Sequence, residues 1–153
     1  MATTAQAPST PIHLWLVGAI SFLWNCFGCY DYLMTRMRDT DYIAAAMPGV
    51  DPKAALAWVD GFPLYAQIGW GLGVWMGLLG AILLLMRSRW AVWSFVLSFI
   101  GALLGLGYQI ALAPPLPGAH DSALNKAIPY VVIAVALALV LYARAMEKRA
   151  VLR

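Results

Sequence analysis

Two cysteines one helical turn apart, an asparagine and an aspartate stand together in WNCFGCYDY, residues 24–32 of a 153-residue chain. Three chemistries are open to such a set. The Cys26–Cys29 pair has the spacing of a dithiol that cycles with a disulfide. The same two thiols could supply half of a tetrahedral zinc site. Asp31, inside a membrane span, could couple proton movement to a solute, because a carboxylate near the bilayer centre costs at least ~2.5 kcal/mol and is a functional candidate by default. The metal reading lacks ligands, since the chain has no other cysteine and its two histidines, His13 and His120, belong to other segments. No phosphate loop, nucleophile triad or pair of catalytic carboxylates is present, so the chain reads as a non-enzyme without a cofactor.

The elements that must position these residues are set by composition. With 63% hydrophobic and 11% charged residues and a mean hydropathy of +0.76, the solvent for this chain is lipid. Four apolar runs, 12–34, 63–86, 90–113 and 127–146, each reach the ~20 residues that cross a ~30 Å hydrocarbon core. Lipid offers no partner to free backbone N–H and C=O groups, so each run must be a helix. The fold predicted is all-α, one integral membrane four-helix bundle. A soluble bundle would carry a polar face along each helix, and these runs do not. The formal charge of +3 comes from segment ends, which leaves no basic face for nucleic acid. The first run follows a segment without Lys or Arg and is expected to be retained rather than cleaved.

Six of the ten basic residues, Arg87, Arg89, Arg144, Lys148, Arg149 and Arg153, flank the second-to-third link and the tail 147–153. This bias predicts that both termini are cytoplasmic. Trp90 and Trp93 on that side, and Trp58, Phe62 and Tyr65 on the other, fit aromatic belts. The outer loop 35–62 contains DYIAAAM, stopped by Pro48 and Gly49, and then DPKAALAWVDG. There Asp51 can cap a short helix, with Pro52 in its first turn and Gly61 at its end. Its apolar residues predict an interfacial helix lying as a lid over the bundle mouth. The second outer loop, 114–126, is rich in proline.

In the first span Gly18, Ser21, Asn25, Gly28, Tyr32 and Thr35 recur at steps of three and four and so form one stripe. Leu16, Leu23, Phe27 and Tyr30 form the bulky opposite face. Small residues allow close helix approach in lipid, and polar ones bond across. Gly69, Gly73 and Gly77 in the second span, and Ser94, Ser98, Gly101 and Gly105 in the third, repeat the device. Such faces serve packing within one protomer, a homodimer or a larger membrane complex. The register separates the opening cluster. Asn25, Gly28 and Tyr32 fall on the seam with Cys29 at its margin, Cys26 turns aside, and Asp31 lies on the face of Trp24. Asp31 is ~28 Å beyond Ile12 along the helix, near the outer interface, where Arg36 or Arg38 can pair with it. Gln67 and Gln109 belong to the same outer half. With Asp31 they form either a shallow polar pocket or a clamp between helices.

The pattern WNxxGxxDYxMT, carried by Trp24, Asn25, Gly28, Asp31, Tyr32, Met34 and Thr35, and FPxYxxxxWxxGVWxGxLGxxLLLxRxRWAV at 62–92 resemble a family of small uncharacterised four-helix bacterial inner-membrane proteins. Members often carry the automatic label "sugar transporter". The resemblance covers about 24–109. It implies a bacterial inner membrane, and it implies that the Trp-Asn and Asp-Tyr pairs carry the motif while both cysteine positions vary. A CxxC near the outer end of a span also resembles the quinone-linked disulfide-forming oxidoreductases. Those relay electrons through a second cysteine pair in an outer loop, and 114–126 has none. Small four-helix multidrug exporters similarly use an acidic residue in the first helix, at greater depth. Three function classes therefore stand in order: an accessory or structural membrane protein, a small-solute transporter or component using a pocket near Asp31, and a thiol-disulfide oxidoreductase using Cys26 and Cys29.

Overall fold

Backbone groups that cannot bond to lipid bond to one another, and in the computed structural model of the protein, which describes residues 10–118 and 123–153, all four apolar runs are helices. Among the described residues six helices follow in order: α1 (Ile12–Arg36), α2 (Thr40–Ala46), α3 (Pro52–Asp60), α4 (Leu64–Leu85), α5 (Trp90–Ala111) and α6 (Ala123–Lys148). Four of these, α1, α4, α5 and α6, are long and apolar enough to cross a membrane, with mean hydropathies of 1.5, 2.0, 1.8 and 2.1. The protein is an all-α, multi-pass membrane bundle. α1 starts after Pro11 and α4 after Pro63, both in extended conformation. The last helix exceeds the expected 127–146 at both ends and takes Pro129 into its interior. The start of the chain, 1–9, and the part of the second loop that includes His120 lie outside the described residues.

The spans pack in sequence, α1 on α4, α4 on α5 and α5 on α6. Of the four, α5 is the most enclosed and α6 the least. The α4–α5 crossing is the tightest contact. A methyl group on Gly101 would come within 2.6 Å of the Gly69 carbonyl oxygen and 2.9 Å of the Gly73 Cα, so the two backbones lie directly against each other. Two hydroxyls clip the crossing: Ser98 Oγ donates to the Gly73 carbonyl at 2.6 Å and Ser94 Oγ to that of Met76 at 2.9 Å. The glycine stripe of α4 is thus used inside the protomer. Ser98→Ala is expected to cost only about 0.6 to 1.7 kcal/mol, the range for single interhelical bonds in membranes, read as a small shift in a mixed-micelle unfolding titration.

Apolar side chains collect at one end, where Leu14, Leu84, Phe95, Val140, Ala143 and Met146 are buried together. Phe95 lies over Gly80, where a Cβ would meet its ring at 2.7 Å. Beyond α6 the tail folds back onto the bundle. Ala150 takes a left-handed turn (φ 55°), and Val151 and Leu152 enter this core. Backbone bonds then join the tail to the α4–α5 turn, from Arg89 N–H to Arg153 C=O at 2.9 Å and from Arg153 N–H to Arg87 C=O at 2.7 Å. This is the tail end of the bundle.

At the opposite, loop end, 35–62 holds two short helices where one was expected. Asp39 caps α2 through a bond from Tyr42 N–H at 2.9 Å, and Asp51 caps α3 through Ala54 N–H at 3.2 Å. Ile43, Val50, Ala55 and Leu56 form a small core of their own, against which Leu116 of the second loop packs. The loop is therefore a folded lid. The first of these helices is capped by Met47, and the left-handed Gly49 (φ 89°) sits in the turn that follows, closed by Val50 N–H to the Met47 carbonyl; Gly61 closes α3 in ordinary helical conformation.

Candidate functional site

Asp31 sits on the last turns of α1, half-buried beneath the lid. Its partner is neither Arg36 nor Arg38, the expected cations. Tyr42 of α2 donates its hydroxyl to Asp31 Oδ1 at 2.8 Å, and Thr35 Oγ1 donates to the Asp31 carbonyl at 2.9 Å. Tyr30 stacks edge-on against Tyr42 at 5.4 Å. Burial, then the bond to Asp31 and the carboxylate's charge, push the Tyr42 phenol well above its ordinary range. The hydroxyl therefore stays protonated and remains a donor to Asp31 at physiological pH.

The two arginines serve other contacts. Arg36 donates to Gln67 Oε1 at 3.1 Å, and its guanidinium lies over the rings of Tyr32 (5.4 Å) and Trp70 (5.6 Å), which themselves meet edge to face at 4.9 Å. Gln67 Nε2 donates to the Phe62 carbonyl at 2.8 Å. Gln67 is thus a clamp holding the lid's exit to the α1 end. Arg38 pairs with Asp60 at 2.8 Å, both well exposed, and an exposed pair of this kind stabilises little. Trp58 donates its indole N–H to the Pro114 carbonyl at 2.7 Å, tying α3 to the second loop. Phe62 and Tyr108 stack at 5.0 Å. Gln109 is half-buried one residue further on and bonds to none of these groups. Of the three polar residues read as either a shallow pocket or a clamp, Asp31 bonds to the lid tyrosine and Gln67 to Arg36.

Deeper in α1 the seam residues face α4. Asn25 turns its Nδ2 back to the Ser21 carbonyl at 2.7 Å, a bond within its own helix rather than across. Its Oδ1 lies against Gly77, where any Cβ would overlap it. The side chain therefore acts through shape, fitting a glycine notch. Gly28 leaves room for a methyl group, 3.6 Å from Val74. Cys29 is at the centre of the seam rather than its margin: it is buried, with its thiol directed at the Val74 carbonyl at 3.4 Å, while Cys26 is half-buried. Both are free thiols. This geometry gives Cys29 the role of a small packing residue with a weak cross-helix bond. Trp24, half-exposed, lies on the side of α1 that faces α6. Among the described residues no group of three or more His, Cys, Asp or Glu side chains is placed to hold a metal ion.

Sequence spacing found Asp31 but not Tyr42, because the two belong to different helices and no local period links them. Tyr42→Phe is expected to remove about 1 kcal/mol of lid docking. Hydrogen exchange should then rise across 40–60 while α4 and α5 stay protected. Asp31→Asn keeps an acceptor oxygen and should leave the lid in place.

No protein-family model, curated protein or solved structure matches the chain.

Proposed function

We propose that the protein is a non-catalytic accessory or structural component of a bacterial inner membrane, its tail end cytoplasmic. One observation carries this reading: several polar groups of the spans are engaged in holding helices together. Ser94, Ser98 and Cys29 donate to carbonyls of α4, Asn25 fills a glycine notch, and Gln67 joins α4 to the end of α1. The orientation is supported by the six cations at the tail end, and the bacterial membrane by the resemblance carried on Trp24 to Thr35. Purification of the full chain from its native membrane in a mild detergent, with mass spectrometry of what accompanies it, tests the reading. A membrane protein at fixed stoichiometry is the expected result; a lone protomer or homodimer would overturn it.

A second reading, a small-solute transporter or transporter component, is favoured by one observation. Asp31 is held under the lid by a single tyrosine hydroxyl, an arrangement that lid movement could open to solute. If it transports, Asp31→Asn should abolish proton-driven uptake into vesicles while leaving the fold intact. Unchanged uptake would remove Asp31 from the mechanism. For the thiol reading, Cys26→Ser with Cys29→Ser is the decisive variant, and unchanged stability and phenotype are expected.

A further inference from the structure

Where α1 and α6 separate, they leave a groove of about 210 Å³ lined by Val17, Ile20, Ser21, Trp24, Val135 and Leu139. Ser21 spends its hydroxyl on the Gly18 carbonyl at 3.0 Å, so the lining offers hydrocarbon and the Trp24 ring. At ~1.5 Å per residue, Val17 and Trp24 lie ~8 and ~18 Å beyond Ile12, and Leu139 and Val135 lie ~14 and ~20 Å back from Lys148. The groove thus runs from just inside the tail-end surface to the bilayer centre, the depth of one leaflet of a ~30 Å core. It is too small for another helix, whose diameter with side chains is about 10–12 Å, and suits a single acyl chain.

Its tail end is polar and cationic. His13 of α1 and Tyr142 of α6 bridge the two helices there, Nδ1 to hydroxyl, at 2.6 Å. That bond engages Nδ1 and leaves Nε2 outside it. On α6, positions 135, 139, 142 and 149 follow one helical face, and the Arg149 charge acts on the Tyr142 hydroxyl. Arg144, Glu147 and Lys148 fall on other faces of the same helix. An apolar slot that ends in an imidazole and the Arg149 guanidinium has the two-part chemistry of a charged lipid, and basic pockets between spans bind such headgroups.

We propose that the α1–α6 groove binds one anionic phospholipid of the tail-end leaflet, an acyl chain between Ile20, Trp24, Val135 and Leu139 and its phosphate beside His13 and Arg149. The inference rests on the fold and stands apart from the accessory reading. The full-length protein, delipidated in non-ionic detergent, is offered equal amounts of phosphatidylglycerol and phosphatidylcholine and weighed by native mass spectrometry. One retained phosphatidylglycerol, favoured about fivefold as one surface cation would give, is expected. Arg149→Gln should bring the two lipids to near parity. Leu139→Trp, which fills the groove from α6, should abolish the adduct. Ile20→Trp does so from the exposed rim of α1 and serves where the first variant fails to fold. Equal retention of both lipids by the unaltered protein, an unchanged preference in Arg149→Gln, or an adduct that survives folded Ile20→Trp would overturn the assignment. So would photo-crosslinking from position 20 in native membranes to a polypeptide instead of a lipid.

Discussion

Gly101→Ala is expected to push α5 off α4 and destabilise the bundle by about 2 to 3 kcal/mol, the upper range for overpacking. The reason is what the added methyl would meet. Its nearest neighbours are the backbone of Gly69 and Gly73, which cannot turn away as a flexible side chain would. Relief requires the helices to separate, and separation stretches the bonds from Ser98 and Ser94 to the α4 carbonyls. In lipid no hydrophobic gain compensates, because helices already in hydrocarbon are held by contact and polar bonds. Gly107→Ala is the matched control, since a Cβ there has nothing within 4 Å. Gly28→Ala meets Val74 only at ordinary van der Waals distance. Both should unfold within about 0.5 kcal/mol of the parent, as substitutions away from such contacts do. Unfolding of purified protein in mixed micelles, followed by circular dichroism, ranks the three. A Gly101→Ala protein as stable as Gly107→Ala would mean that the crossing is not close-packed.

The contrast shows what the sequence could and could not disclose. Spacing of four places Gly69, Gly73 and Gly77 on one face, so close packing there was legible from local period alone. The same spacing says nothing about who packs on that face, and the choice between α5 and another copy appears only in three dimensions. Asp51 and Pro52 announced α3 because a cap is a local bond. Cys29 was set at the seam's edge by an ideal period, whereas its thiol faces Val74 from the middle of the contact. Tyr42 and the fold-back of the tail were illegible for a common reason. Each depends on a contact between segments distant in sequence, and a short basic tail reads as solvated until its two apolar residues are seen to have a place to go.

That place makes the tail the second point at which one residue should matter. Leu152→Asp is expected to cost about 3 kcal/mol or more: burial of a leucine is worth about 1.5 to 3 kcal/mol, and a carboxylate in its position adds a desolvation penalty. Leu152 and Val151 are 4% and 3% exposed, in the core that Leu14, Leu84, Phe95 and Met146 share. The tail follows the end of the α6 span at Lys148, and its burial is counted as burial from water, which does not apply to side chains within the bilayer. Losing the anchor would also release the paired backbone bonds between Arg153 and the α4–α5 turn, and the Arg87 Nε–H bond to the Val151 carbonyl. Because α6 is the least enclosed span, its tail end should loosen first, while the Gly69–Gly101 crossing holds. Trypsin would then gain access to Arg149 and Arg89. Arg153→Ala should have little effect, since the bonds made at that position are from its backbone, and Leu152→Met should stay within about 1.5 kcal/mol as a volume-conserving exchange. Limited proteolysis and hydrogen exchange across 87–92 and 146–153 separate these outcomes: a Leu152→Asp protein with protection equal to Leu152→Met would show that the tail carries no part of α6 docking.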